Sequence, residues 1–311
     1  MTSLKPTLEN LLGIKYPVLL GGMAGITDPE LASAVSEAGG LGTIAGVTET
    51  GHTLSEQIKK MRTLTDKPFA VNIPLLINRA GDLVDTVIKE KVEIVITAAG
   101  APEKFIDLLK TAGITVIHVV PSPQLAHAAE DAGVDAVIAE GFESGGAASR
   151  FEIGTLALVP QVVDTVKIPV IAAGGIADAR GYLAARILGA TGVSLGTAFL
   201  ASRECRRVGK ALKEQLFEAG ASNTAIVARG LHGFRALKNR AYSDIEKMVL
   251  EGADKETVMN VIFSSDYTNP ENFLSCGQGV GLIREAKSAR EIIEGMVKGA
   301  ESILNNLLFY R

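Results

Sequence analysis

A short apolar run ending in glycine, followed by a helix, recurs along this chain, and that repetition restricts the fold more than any other feature. The clearest copies are adjacent. Ile168 to Ala173 is apolar, Gly174 and Gly175 follow, a helix starts at Asp178 and runs to Leu188, and Gly192 to Leu195 leads into Gly196 and Thr197. Strands buried on both faces of a parallel sheet read as near-continuous apolar runs. Glycines past their ends allow close backbone approach, and nearby helix N-termini offer unpaired N–H groups to an anion. Two such units in succession are expected to grip a phosphate at the top of a (β/α)8 barrel, where the last two strands usually supply it.

The rest of the chain extends the pattern. Tyr16 to Gly22, Leu41 to Ala45, FAVNI after Pro68, Glu93 to Ala98, ITVIHVV after Gly113 and VDAVIAE ending at Glu140 complete eight strand candidates, with seven helical stretches between them. Asp28 and Pro29 start the first of these helices as cap and first residue. This is an α/β chain of the TIM-barrel type; a doubly wound sheet would show fewer strands and a GxGxxG turn after the first. After Leu200 the alternation stops. Residues 201–272 hold helical candidates (Arg207 to Glu218, Ile245 to Leu250, Lys255 to Phe263) and no alternating strand. They are expected to form a small, mainly helical substrate or lid domain inserted after the eighth strand. The barrel then comprises 1–200 and 273–311, closed by an amphipathic helix from Ala286 to Leu308.

The 311 residues are 47% hydrophobic with 33 glycines, which excludes a disordered chain. A net charge of -4 argues against a broad nucleic-acid surface. Cys205 and Cys276 form no CxxC motif, so neither a disulfide scaffold nor a cysteine metal site is expected. MTSLKPTLENLLGIKYP has no basic segment leading into an apolar signal core, and no uninterrupted apolar run reaches the roughly 18 residues of a membrane span. A cytoplasmic setting is the expectation, and a homodimer through barrel or C-terminal helices is compatible with it.

In a barrel, the polar and glycine positions at the strand ends converge: Gly22, Met23, Asn72, Thr97, Glu140, Gly145, Gly146, Ala173, Gly174, Gly175, Gly196 and Thr197. Asn72 can donate to and accept from the edge of a flat heterocycle, although an asparagine after a strand is also an ordinary turn residue. Glu140 ends an apolar strand, so it either faces a ligand or caps a loop. Met23 beside two glycines could present its backbone to a planar cofactor. His118 interrupts a strand and reads as a hydrogen-bonded core or rim residue; His52 and His127 read as solvent-facing. His232 lies in ARGLHGFRALKNR, either a basic rim for an anionic substrate or a solvated helix face. No HExxH or GxSxG motif is present.

These stretches, in order, resemble the FMN-dependent nitronate monooxygenase family, which also holds flavin-dependent enoyl-acyl-carrier-protein reductases and quinone reductases. YPVLLGGMAG, ELASAVSEAGGLGTI, DKPFAVNI, VDAVIAEGFESGG, IPVIAAGGIADARG, GVSLGTAFLASREC and GQGVGLI carry the likeness over nearly the whole chain. The resemblance implies FMN held non-covalently between barrel and insertion. Gly22, Met23 and Asn72 would lie around the flavin ring, Gly145 and Gly146 would line the site, and Ala173, Gly174, Gly175, Gly196 and Thr197 would hold the phosphate. Thr97 and Glu140 are further contacts. Family members typically carry a histidine directly after the glycine pair of the EGxExGG loop. Here that position is Ala147, and the usual glutamine two residues before Gly196 is Ser194.

Alanine cannot transfer a proton, so abstraction from a neutral nitroalkane is in question, whereas oxidation of a preformed nitronate or hydride transfer from NAD(P)H is less affected. Ser144, Ser149, Glu143 and His232 are the nearby replacements, and a serine hydroxyl is a poor base unless activated. The resemblance implies nitronate oxidation with O2 or a related acceptor. Its reductase branch implies NAD(P)H-dependent reduction of an enoyl thioester or quinone, for which HGFRALKN is the local likeness. A barrel binding another phosphorylated ligand without redox chemistry, or a flavin-binding protein of low turnover, is the reading from a different class.

Overall fold

A computed structural model describes residues 7–231 and 233–308. Eight parallel strands form one closed sheet: β1 (Val18–Leu20), β2 (Gly42–Ala45), β3 (Phe69–Pro74), β4 (Ile94–Ala98), β5 (Thr115–Val120), β6 (Ala136–Glu140), and then β8 (Val170–Ala173) and β9 (Gly192–Leu195) after a two-residue β7 (Gly146–Ala147). Closure comes where β1 meets both β9, pairing Leu20 with Leu195, and β2, through the Leu19–Leu41 bridge. The expected (β/α)8 barrel is therefore the fold.

Strand periodicity separates two cores. Leu19, Leu41, Ala70, Ile94, Ile96, Ile117, Ala136, Ile138 and Ile171 point inward and pack together. Their neighbours Val18, Leu20, Val71, Val95, Val116, Val137, Val170 and Val193 point outward, against the helices. Both faces are apolar, which explains why the strands read as continuous apolar runs. A short helix that the periodicity did not announce, α1 (Leu8–Leu12), adds Leu8 and Leu12 to the inner core. A Cβ on Gly192, at the start of β9, would lie 2.6 Å from Leu8 Cδ2, so α1 plugs the end of the barrel opposite the site.

The helical layer consists of α2 (Pro29–Glu37), α3 (Gly51–Leu64), α4 (Ala80–Lys89), α5 (Ile106–Thr111), α6 (Pro123–Asp131), α7 (Thr155–Thr165) and α8 (Ala179–Ile187). Side-chain caps set several starts: Asp28 accepts from Leu31, Ser122 from Leu125 and Asp178 from Gly181. A four-residue α9 (Thr197–Leu200) follows β9, and the closing helix, α13 (Ala289–Leu308), lies against α8 and α2. No described helix is long and apolar enough to cross a membrane.

Between α9 and the closing helix come α10 (Lys210–Glu218), β10 (Thr224–Val227), β11 (Phe234–Leu237), α11 (Arg240–Leu250) and α12 (Lys255–Phe263). This insertion is mainly helical, as expected. The expectation that it lacks strands fails, because β10 and β11 form an antiparallel hairpin, and β11 also pairs with β7 from the barrel. Strands of four residues are too short to display a period of two, and the partner of β11 lies far away in sequence. A separate small core of Val227, Phe234, Ala236, Ile245, Val258, Ile262 and Phe273 supports the hairpin, whereas Leu212 and Leu216 of α10 pack with the barrel's outer core.

Candidate functional site

Parallel strands place every C-terminal end on one edge, and the insertion and the segment returning from it are fastened to that edge at five points. Arg207 Nε donates to Asp28 Oδ2 at 3.1 Å, Tyr267 Oη to Ala24 O at 3.1 Å, and Gly277 N to Thr197 Oγ1 at 2.9 Å. Gln278 N donates to Glu143 O at 2.9 Å, and β11 pairs with β7. The mouth of the barrel is thus roofed from one side.

Most of the expected residues meet there. Asn72 points inward, is 8% exposed, and donates through Nδ2 to Ile96 O at 3.2 Å. A Cβ on Gly22 would stand 2.7 Å from Asn72 Cβ, so glycine lets this backbone lie against the amide. Met23 is held by Thr27, whose hydroxyl accepts from Met23 N at 3.1 Å, and its sulfur lies 3.7 Å from where a Gly196 Cβ would stand. Gly22, Met23 and Asn72 therefore form one corner of the rim, from which the Met23 sulfur reaches towards Gly196.

The glycine turns after β8 form a second part of the rim. Gly174 and Gly175 have φ of 99° and 70°, a region that favours glycine. A Cβ on Gly174 would also lie 2.8 Å from both Gly141 O and Thr155 Oγ1. Glu143 is committed here: its carboxylate accepts the Thr155 N–H at 2.8 Å, at the positive end of α7. That removes Glu143 as a replacement base. The first N–H groups of α9, from Thr197 onward, have no intrahelical acceptor.

The loop between β6 and α7 carries the missing histidine's position. Gly145 packs so tightly that a Cβ would come within 2.6 Å of the Cys276 carbonyl carbon, while a Cβ on Gly146 would meet nothing within 4 Å. Ala147 is exposed and pairs in register with Phe234. Ser149 accepts the Phe151 N–H at 3.1 Å. His232 lies outside the described residues. Cys205 and Cys276 are free and buried, and burial pushes their thiols up to about 11 and about 12.

Two expected placements need correction. The Thr97 side chain does not face the mouth: β4 turns it outward, where its hydroxyl lies 2.7 Å from His118 Nδ1 and it is 1% exposed. Burial pushes His118 down to about 4, so it is neutral at pH 7. The basic run is not one helix face, because Phe234–Leu237 within it is strand β11. Arg235 is buried on β11, donates twice to Phe142 O at 3.2 and 3.3 Å and lies over the Phe142 ring. Arg229 pairs with Glu152, and Arg240 with Glu271. Thr155 and Arg235 were not anticipated as loop supports, because a threonine at a helix start and an arginine among basic residues carry no distinguishing sequence signal.

Glu140 does face the mouth. It ends β6 on the inward side, beside Ala173 in register, and is only partly exposed. Burial pushes its carboxyl up to about 7, and a hydrogen bond from Ser144 pulls the other way.

The residues present fit FMN. Glycine turns in left-handed conformations and the start of α9 offer backbone N–H groups to a phosphate, and the inward amide of Asn72 on β3 is available to a ring edge. A (β/α)8 barrel with its site at the strand ends and a phosphate grip after the last two strands defines a class of cofactor-binding barrel enzymes.

The chain belongs to the nitronate monooxygenase family, whose model matches residues 5–87 and 77–299. A probable nitronate monooxygenase of Staphylococcus saprophyticus is 34% identical, over 97% of this chain and 99% of that protein. A Rhodococcus jostii (3aS,4S,5R,7aS)-5-hydroxy-7a-methyl-1-oxo-octahydro-1H-indene-4-carboxyl-CoA dehydrogenase is 30% identical, over 96% and 97%. Among solved structures, FabK from Thermotoga maritima matches with a TM-score of 0.93 and 41% identity, covering 98% of this chain and 99% of that one. The nitroalkane oxidase of Streptomyces ansochromogenes matches at 0.79 and 27%, covering 96% and 99%. The protein is an FMN-dependent oxidoreductase of this family.

Proposed function

We propose that this enzyme reduces the double bond of an enoyl thioester, with NAD(P)H as electron source and FMN as carrier. The observation that carries the reading is the 41% identity with the enoyl-reductase-type FabK over 98% of the chain, against 27% with the nitroalkane oxidase. The CoA thioester named for the Rhodococcus jostii relative points to the same substrate class. When bound, FMN supplies the hydride chemistry.

The chain's own residues bind, orient and shield. Gly174, Gly175 and Thr197 would hold the phosphate through backbone N–H groups, and Asn72 would offer its amide to the ring edge. The β10–β11 hairpin, tied to the loop through β7, limits water at the mouth. Ala147 removes the base that abstraction from a neutral nitroalkane requires, which weighs against that reaction.

Oxidation of a preformed nitronate is the second reading, favoured by the family model itself and by the 34% identical Staphylococcus saprophyticus relative. One pair of assays decides. NAD(P)H-dependent loss of the enoyl chromophore is expected, while O2 uptake with a nitronate and no NAD(P)H would overturn the first reading in favour of the second.

A further inference from the structure

The peptide between Gly174 and Gly175 is not fixed by its own chain. Glycine on both sides lets its plane turn over, exchanging the place of its carbonyl for that of its N–H. One orientation is chosen by a neighbour. Thr155, the first residue of α7, donates through Oγ1 to Gly174 O at 2.9 Å. The peptide is trans, so its N–H points opposite to its carbonyl. A carbonyl held towards α7 therefore aims the Gly175 N–H away from α7. Among the described residues, that N–H donates to no protein acceptor. The following carbonyl is turned against the protein as well: Gly175 O lies 3.2 Å from where a Cβ on Gly279 would stand.

Thr155 is itself held in place. Its N–H donates to both oxygens of the Glu143 carboxylate, at 2.8 and 3.0 Å. The Thr155 hydroxyl oxygen also lies 2.9 Å from Glu143 Oε2. Both carboxylate oxygens already receive the N–H, which leaves the single hydroxyl proton for Gly174 O. Glu143 braces the turn from its other side too. Its Cβ lies 3.2 Å from where a Cβ on Gly175 would stand, and its main-chain oxygen accepts the Gln278 N–H at 2.9 Å.

We propose that Thr155, set by Glu143, is a positioning residue that locks the Gly174–Gly175 peptide and so presents the Gly175 N–H to the FMN phosphate. Without the hydroxyl the peptide can turn over and offer the Gly174 carbonyl, a partial negative charge, to an anion. The inference rests on the assignment of the phosphate to this glycine turn, and it is independent of which substrate the flavin reduces or oxidises.

The test compares FMN with riboflavin, which carries the same ring and ribityl chain and no phosphate. The full-length apoprotein is titrated with each, and flavin fluorescence reads the two affinities. Thr155→Val keeps the shape of the side chain and removes the hydroxyl. It is expected to lower FMN affinity about tenfold, the scale of one hydrogen bond to a charged group, and to leave riboflavin affinity unchanged. Thr155→Ser, which puts a hydroxyl back, is expected to restore FMN affinity. A second measurement needs no variant and decides the matter if Thr155→Val does not fold. In wild-type protein labelled with nitrogen-15 glycine, the Gly175 amide proton is expected to move downfield with FMN and to stay in place with riboflavin. Equal losses of FMN and riboflavin affinity in Thr155→Val, an unchanged FMN affinity, or a Gly175 amide that does not respond to the phosphate would each overturn the lock. Wild-type apoprotein that binds riboflavin as tightly as FMN would overturn the phosphate assignment itself, and the lock with it.

Discussion

The backbone N–H of Gly277 donates to the Thr197 hydroxyl at 2.9 Å, joining the end of β9 to the segment in which the chain returns from the insertion. One hydroxyl thus couples the start of α9 to the roof. Replacing Thr197 with valine keeps the shape and removes the acceptor. FMN affinity is expected to fall about tenfold, the scale of one hydrogen bond of roughly 1.4 kcal/mol. Fluorescence titration of apoprotein with FMN measures it, and an unchanged affinity would show that the contact is incidental.

Gly174 carries two independent constraints, a φ of 99° and the lack of space for a Cβ against Gly141 O and Thr155 Oγ1. Gly174→Ala is expected to destabilise the protein by about 1–3 kcal/mol, the usual scale of such strain. Denaturant unfolding of the apoprotein checks this apart from cofactor binding. Loss of FMN with no loss of apoprotein stability would mean that the glycine serves only the ligand.

His118 makes the protein acid-sensitive. Its pKa is lowered in the fold to about 4 from an ordinary 6.5, so between these values the unfolded chain binds more protons. Stability is complete above about pH 6.5 and is lost as pH falls towards 4. The loss attributable to this group is about 3 kcal/mol. Melting curves across that window should slope for the wild type and flatten for His118→Asn; parallel slopes would assign the acid sensitivity elsewhere.

Ala147 gives a gain-of-function experiment. Ala147→His places an imidazole at an exposed position beside the mouth, across the ladder from Phe234. Activity on neutral nitroalkanes is expected to rise by about a hundredfold, a typical contribution of a positioned base. Oxygen uptake with a neutral nitroalkane is the measurement, and an unchanged rate would mean that more than a base is absent.

The barrel was legible because each strand is apolar on both faces and each connection is local, so a run such as VDAVIAE declares its environment in seven consecutive letters. The same locality exposed Asp28, Gly174, Gly175 and the cluster that Asn72 joins: caps, turns and strand ends are decided by neighbours in the chain. The hairpin was not legible. β11 is built from FRAL, too short for a period, and its second partner is Gly146–Ala147, far away in sequence.

Sequence by itself therefore determined the eight-fold alternation, the glycine turns after β8 and the alanine at position 147. Only the tertiary structure decided which way each strand-end side chain points. Thr97 and Asn72 look alike as polar residues near strand ends, yet the register turns Asn72 into the mouth and buries Thr97 against His118. Glu140 acquires its character the same way. A carboxyl has no unusual acidity in a sequence; it gains one when an inward strand position buries it, which pushes it up to about 7.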